Sequence, residues 1–337
     1  MKWLVTGGCG FIGTNVVERL IRDGHEPIVF DNVSRPRVHR NLSFLRDELG
    51  VEVEVADVRD AAAVDRFFAR HSDADVVAHL AGQVSFMASL ADPRSDFEIN
   101  ALGTLNVVDA AVRHIADAPL LYSSTNKVYG TLEELQTDEL ATRYVFPGFP
   151  GGVPSSLPLR PSGGYSVSKM SADQIILDWS RHHGLRGVVF RQSSVYGGRQ
   201  FATEDQGWAA FFAERFVADE PFRINGNGKQ VRDLLHVDDL YRAFVMAAHT
   251  DTTAGRCFNI GGGPENSLSL LELFEELRIR TGNSPSYEAG PPRPADQKVF
   301  IADISELAPL GWTPNIDKDH GLSLLIDWAG ELVRSEG

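Results

Sequence analysis

The chain has 337 residues, 43% of them apolar, enough for a large core and for one large or two fused domains. Its net charge of −14 and sequence pI near 5.1 oppose binding to nucleic acid or to an anionic membrane. Only Cys9 and Cys257 are available for a disulfide framework or a thiolate metal site, and no apolar run approaches the ~18 residues of a membrane span. A reduced, cytoplasmic enzyme or binding protein without a bound metal is expected.

Residues 2–6 form an apolar run that stops at glycines and reads as a strand. Gly7, Gly8, Gly10 and Gly13 follow, and 14–21 has helical spacing. Strand, glycine turn and helix come in the order a dinucleotide site needs. Residues 8, 10 and 13 fit G-x-G-x-x-G, and residues 7, 10 and 13 fit a variant with wider spacing. Glycine lets backbone N–H groups approach a pyrophosphate, and the helix N-terminus favours its charge. Alone, the turn is equally compatible with tight strand-to-helix packing. Asp31 supplies context. It ends a second strand at 28–31, near the expected ~20 residues beyond the turn. A carboxylate there accepts hydrogen bonds from both adenosine ribose hydroxyls and repels a 2′-phosphate, favouring NAD over NADP. Arg35, Arg37 and Arg40, just beyond, work against that preference.

A third strand alternates over 51–56. Asp57 after it is placed to meet an adenine amino group or to cap a helix, and Asp60 caps a helix over 61–70. A buried strand over 74–83 ends in small residues that leave room for a cofactor. His79 inside that strand reads as a packed core histidine. Residues 93–115 read as one long helix with an apolar face. The run 118–121 leads into Tyr122-Ser123-Ser124-Thr125-Asn126-Lys127, which places three hydroxyls at a strand's carboxyl end, where open α/β sheets bind ligands. The segment from Gly130 to Tyr165 is rich in proline and glycine and has no periodicity. A loop of that length reads as an active-site lid, with a surface insertion as the alternative. Tyr165 and Lys169 then lie one turn apart on a helix over 165–183.

The second half continues with a strand at 187–191 and a helix at 206–217 anchored by Trp208, Phe211 and Phe212. Short strands at 222–225 and 231–235 flank a Gly-Asn-Gly turn. A helix capped by Asp238 or Asp239 runs to Ala248, and this tract together with 258–261 returns to the main sheet. Ser267 caps a helix over 268–281, and a last helix covers 322–333. The expected fold is α/β, a Rossmann-type doubly wound parallel sheet with a smaller, interleaved C-terminal substrate domain. Residues 1–192, with about 233–262, form the NAD-binding domain. Residues 193–232 and 263–337 form the smaller substrate domain.

Oxidising an alcohol needs a base for the hydroxyl proton while hydride leaves the same carbon. A tyrosine serves if its pKa, about 10 unperturbed, is lowered, and a nearby lysine ammonium favours the phenolate. Tyr165 and Lys169 suit that task. A solvated helix face is the bland reading of the same spacing.

The sequence resembles the extended short-chain dehydrogenase/reductases, the NAD-dependent nucleotide-sugar epimerase/dehydratase family. The glycine turn, Asp31, residues 57–60, His79-Leu80-Ala81-Gly82, Asn100-Ala101-Leu102-Gly103-Thr104, Ser123-Ser124-Thr125 and Tyr165-x-x-x-Lys169 carry the likeness over nearly the whole chain. Stretches 123–130, 196–203, 205–208 and 226–233 are similar to its CDP-sugar 2-epimerase branch. The resemblance implies that Thr125, Tyr165 and Lys169 are catalytic. Lys169 would also hold the nicotinamide ribose, and Thr125 would relay the substrate proton. It further implies NAD contacts from Gly7, Gly10, Phe11, Ile12, Gly13, Asp31, Asn32, Arg35, Asp57, Val58, Leu80, Ala81, Gly82, Asn100 and Ser123. Gln83, Asn126, Arg199, Gln200, Gln206, Arg232, Arg293 and Asp296 would contact the nucleotide sugar. Among these, Arg232 and Arg293 match diphosphate positions, which suit the paired hydrogen bonds of a guanidinium. Asp296 matches a ribose- or sugar-side acid. Base choice falls to Gln206, Trp208 or the turn 199–201.

Relatives that eliminate water usually carry Asp-Glu after the threonine, and decarboxylating relatives tend to place a Glu nearby. Asn126 and Lys127 supply no acid, so redox-neutral epimerisation is expected, through a keto sugar and hydride return to the opposite face. Lys127 reads as pocket lining or a phosphate contact. The position, C2 of a CDP-hexose of the paratose/tyvelose type, follows from the resemblance, because residue chemistry leaves C2 and C4 open. A 4-epimerase or other redox-neutral modifier of a UDP- or dTDP-sugar is the near rival, and a non-catalytic NAD-binding regulator the distant one. The resemblance also implies a homodimer through helices 93–115 and 165–183, with further pairing of dimers left open.

Overall fold

The computed structural model describes residues 1–336. The strands in chain order are Lys2–Thr6 (β1), Glu26–Asp31 (β2), Glu52–Val55 (β3), Val76–His79 (β4), Pro119–Thr125 (β5), Asp138–Glu139 (β6), Tyr144–Val145 (β7), Arg186–Gln192 (β8), Ser194–Tyr196 (β9), Phe222–Asn225 (β10), Val231–His236 (β11), Arg256–Ile260 (β12), Ser267–Ser269 (β13), Tyr287–Gly290 (β14) and Val299–Phe300 (β15). The helices are Phe11–Arg22 (α1), Val38–Ser43 (α2), Ala61–Arg70 (α3), Phe86–Ala91 (α4), Pro93–Phe97 (α5), Gly103–His114 (α6), Gly164–His182 (α7), Trp208–Ala218 (α8), Val237–Ala248 (α9), Leu270–Thr281 (α10) and Lys318–Glu336 (α11). Among the described residues no helix is long and apolar enough to cross a membrane.

Seven strands form one sheet in the order β12-β8-β5-β4-β1-β2-β3. Every neighbouring pair in it is parallel. This is the Rossmann-type doubly wound arrangement, and the order reverses at β1, beside which a crevice opens at the strand ends. Period-2 side-chain alternation feeds both faces at once. Trp3 and Val5 of β1, Val29 of β2 and Leu121 of β5 enter one core with α1 and α9. Leu4, Ile28, Phe30, Leu120 and Tyr122 enter the other, with α3, α6 and α7. Sheets buried on both faces produce the near-continuous apolar runs seen in the sequence.

A smaller sheet carries β13-β11-β15, with β9 also on β11, and β10 pairs with β14 separately. β10 and β11 therefore do not pair across their Gly-Asn-Gly turn as adjacent strands would. The tract 233–262 divides: β11 belongs to the small sheet, whereas α9 and β12 return to the large one. Phe212, Phe216, Phe222 and Phe274 pack in a third core between α8, α10 and α11.

Several local expectations shift. The helix expected over 93–115 is α5 and α6 joined by a π-helical turn, Glu98–Leu102. Asp60 caps α3, accepting from the Ala62 and Ala63 N–H groups. The capping residue of α10 is Ser269, in a reciprocal box with Glu272, because Ser267 is occupied in β13. At α9, His236 accepts the cap bond, and Asp239 instead holds the Asn315 and Ile316 N–H groups. The 131–164 segment is a packed strap. Leu132, Phe146 and Val153 bury against Val231, Val299 and Phe300. Val153 N–H donates to Ile301 O at 2.7 Å, and Tyr144 N–H to Lys229 O at 3.0 Å. No residue of the segment lines the cleft described next, so the lid expectation fails. Its apolar residues lie outside any regular period, which hid their burial.

Candidate functional site

A cleft of about 620 Å³ opens at the carboxyl ends of the large sheet's strands. Its cofactor wall begins at the glycine turn. Gly7 stands at φ +74°, and a Cβ on it would lie 2.5 Å from Ala81 N. A Cβ on Gly13 would lie 2.3 Å from Gly7 O. Only bare backbone fits this cradle. Gly7, Gly10, Phe11, Ile12, Gly13, Asp31, Asn32, Arg35, Val58, Leu80, Ala81, Gly82 and Ser123 all line the cleft, as the sequence predicts. Asp31 accepts from Cys9 N–H at 2.9 Å and Val33 N–H at 2.8 Å. Each oxygen keeps a further lone pair. Burial pushes the Asp31 carboxyl up, against a smaller downward pull from those amides and Arg35.

Two expected cofactor contacts stand back from the wall. Asp57 is taken by Asn32 Nδ2 and by the Arg59 guanidinium, which hold its carboxyl down at about 2. Asn100 is buried and spends its amide inside the protein. Its oxygen accepts Gln83 N–H at 2.9 Å, and its Nδ2 donates to Ser168 Oγ at 3.0 Å. Asn100 thus shapes the cleft through Gln83 without lining it. His79 is a core histidine, held by Thr6 and Thr104 and pushed down to about 3 by burial.

The end of β5 and the first turn of α7 bring Thr125, Tyr165 and Lys169 to the same cleft. Burial pushes the Tyr165 phenol up to about 12, against a smaller downward pull from its hydrogen bond to Thr125. Burial brings Lys169 down to about 7. The Lys169 ammonium donates to Ser123 O at 2.6 Å and lies 4.2 Å from the Tyr122 ring centre. One Lys169 N–H is thus spent on the β5 backbone, one helical turn from Tyr165. The residues present fit NAD: a side-chain-free cradle for the pyrophosphate, a carboxylate on the ribose side, and a Tyr/Lys pair at the far end.

On the sugar side, Gln83, Asn126, Lys127, Gln200 and Gln206 line the cleft. Gln200 Oε1 is buried without a hydrogen-bond partner. Arg35 donates to Gln206 Oε1 at 2.8 Å and so joins the two walls. Lys127 Nζ meets Asp296 Oδ1 at 3.0 Å, and Arg232 meets the same oxygen at 2.8 Å. The two cations hold the Asp296 carboxyl down at about 2 despite its burial. Arg293 reaches Glu204 O and lies 3.5 Å from Asp205, itself a cleft residue. Arg232, Arg293 and Asp296 thus attach to the wall through Lys127 and Asp205 and do not line it.

Arg199 is misplaced by the sequence reading. Its guanidinium lies 3.2 Å from the Phe44 ring centre and 4.0 Å from Glu18, away from the cleft. It packs the nucleotide half against the segment after β9. Sequence reasoning also missed four contributors. Gln192 and Ser193, at the end of β8, line the cleft beside β5, and strand order was the missing information. Asp96 accepts from Gln83 Nε2 and Ser168 Oγ, one turn before Asn100. Gln297 is fully buried against Asn126, and only its position next to Asp296 hinted at a role.

Residues 3–261 match the model of the NAD dependent epimerase/dehydratase family. The chain is 42% identical over 339 residues to CDP-paratose 2-epimerase of Salmonella typhi, covering 98% of this chain and all of that one. Its fold matches UDP-glucose 4-epimerase of Thermotoga maritima, solved with UDP-glucose, at a TM-score of 0.84 and 30% identity, covering 99% and 100% of the two chains. It matches UDP-glucose 4-epimerase of Thermus thermophilus, solved with NAD, at a TM-score of 0.81 and 29% identity, covering 98% and 99%. A glycine cradle, a Tyr/Lys pair and a sugar-side cation cluster around one cleft, together with these likenesses, establish that the chain belongs to the NAD dependent epimerase/dehydratase family and is a nucleotide-sugar epimerase.

Proposed function

We propose that this epimerase inverts C2 of a CDP-hexose of the paratose/tyvelose type, with Thr125, Tyr165 and Lys169 as its catalytic residues. The observation that carries the substrate is the full-length likeness to CDP-paratose 2-epimerase. The site is consistent with it. Elimination needs an acid able to give a proton to the leaving group. The residues beside Thr125 are Asn126 and Lys127, and the nearest carboxyl on Lys127, Asp296, is held ionised by two cations. That leaves oxidation and re-reduction at one carbon.

The glycine turn, Asp31 and Lys169 would hold NAD, which when bound would supply reversible uptake of hydride. The chain's own part is proton handling and positioning. Tyr165 takes the proton of the substrate hydroxyl and later returns it. Thr125 holds that hydroxyl at the end of β5. Lys127 at the wall, backed by Arg232 through their shared Asp296, supplies fixed positive charge for the diphosphate, so the sugar turns over while its nucleotide stays bound. Such an anchor matters because hydride must return to the opposite face of the same molecule.

Met87, Leu90, Phe97, Leu102 and Val167 are exposed apolar residues gathered on α4, the α5–α6 tract and α7. A second copy of this chain fits that face, consistent with the expected homodimer. Sedimentation of Phe97→Asp should give monomer where the parent gives dimer.

The function is tested with CDP-, UDP-, dTDP- and GDP-sugars, with product structure read by NMR. A CDP-hexose should invert at C2 and keep deuterium placed on that carbon. Loss of the label to solvent points to proton abstraction and refutes the mechanism. Turnover of a UDP-sugar at C4, with all CDP-sugars inert, refutes the substrate.

A further inference from the structure

Gln297 has 0% exposure and lies between the strap and the end of β5. Its Nε2 donates to Gly130 O at 2.7 Å and to Asn126 O at 3.2 Å. Two carbonyls accept there, so a carboxamide oxygen in that place would meet only acceptors. The Gln297 oxygen must therefore face the other way, and it accepts Asn126 Nδ2 at 3.0 Å. That bond in turn fixes the Asn126 amide. Its oxygen faces Thr125, whose hydroxyl donates to it at 3.2 Å. Thr125 Oγ1 also accepts Lys127 N–H at 3.2 Å. A hydroxyl has one hydrogen. With that hydrogen on Asn126, Thr125 shows Tyr165 a lone pair.

We propose that Gln297 is a positioning residue for proton transfer: it locks the Asn126 amide so that Asn126 holds the Thr125 hydrogen away from Tyr165. The phenolate then lacks one stabilising donor and is the stronger base toward the sugar hydroxyl. The downward pull of Thr125 on Tyr165 operates only when Thr125 turns its hydrogen from Asn126 to the phenol oxygen. The other groups facing Tyr165 are Asp96 from α5, Arg35 after β2, Tyr122 on β5 and Lys169 on its own helix. The variants below leave all four in place. Neither wall of the cleft makes this lock alone, since Gln297 follows Asp296 in the sugar-side tract and Asn126 follows the catalytic strand.

This inference rests on Tyr165 acting as the base. Gln297→Met removes both the donor and the acceptor. Its substrate KM should stay within about threefold, its kcat should fall about tenfold, and the acid limb of its kcat–pH profile should move to lower pH by about one unit. Gln297→Glu, kept protonated by its burial between two carbonyls, retains an oxygen on Asn126 Nδ2 and a donor toward Gly130 O and Asn126 O, so its acid limb should stay with the parent. Should Gln297→Met fail to fold, Asn126→Leu removes the acceptor from the other side and should shift the limb the same way. A lower kcat with an unmoved limb in the folded variant marks a merely structural role and overturns the proposal. A limb that rises also overturns it. Turnover retained by Tyr165→Phe would sink the assignment of the base instead, so the two failures are distinguishable.

Discussion

On the cofactor side the cleft is shaped by backbone, and on the sugar side by charged side chains. Gly7, Gly10 and Gly13 come from one short turn, with no side chain where Gly7 meets Ala81 and where Gly10 and Gly13 meet the turn's own backbone. Lys127, Arg232, Arg293 and Asp296 come from three separate elements, and they pair opposite charges: Lys127 and Arg232 lie 3.0 and 2.8 Å from Asp296, and Arg293 lies 3.5 Å from Asp205. The first kind of site is complete within a few residues of sequence. The second exists only when the small sheet brings β11 and the tract before β15 to the end of β5. The first tolerates no added atom. The second tolerates substitution at a graded cost, since several cations share one anion.

The sharpest way to break this contrast is at the junction of the two walls. Tyr165→Phe should lower kcat about 10³-fold while cofactor titration shows near-normal NAD binding. Gly13→Ala comes next. Its Cβ would lie 2.3 Å from Gly7 O and 2.5 Å from Gly8 Cα, so backbone must move. NAD affinity of the cofactor-free protein should drop about a hundredfold, with nucleotide-sugar affinity nearly unchanged. Arg232→Met tests the opposite wall. Asp296 keeps Lys127, so KM for the nucleotide sugar should rise about tenfold with kcat changed far less. A large fall in kcat with unchanged KM would place Arg232 in the chemistry and not the anchor. Asp31→Asn should have the smallest effect. The amide retains one acceptor for Cys9 or Val33 and loses its repulsion of a 2′-phosphate. Preference for NAD over NADP, read from the ratio of the two dissociation constants, should shrink about fivefold.

Legibility in the sequence followed the same divide. The parallel sheet showed itself in apolar runs at β1, β2, β4 and β5, because burial on both faces leaves no polar positions. Thr125, Tyr165 and Lys169 were readable since a strand end and a helix's first turn meet at one edge of any doubly wound sheet. Asn100 and Asp57 were not, because a polar side chain near a cofactor serves equally well as a bond to Gln83 or Arg59. Arg199 was misread for a related reason. A guanidinium carries no mark of whether it meets a phosphate or stacks on Phe44. Lys229, in another stretch that carried the likeness, pairs with Glu139 and anchors the strap.

What the sequence by itself determined is the sheet, the cofactor cradle, the Tyr165 and Lys169 pair at the cleft and the lack of an acid after Thr125. All are set by short-range spacing and by residues whose chemistry has few alternatives. Tertiary structure alone decided that the proline-rich strap packs on β11 and β15 without lining the cleft, and that Asp296 is ionised between two cations. It alone decided that Gln297 orients the amide next to Thr125. The physical reason is directional. A hydrogen bond or an ion pair between residues far apart in the chain has no period and no spacing, and it acquires its partner only when the fold closes.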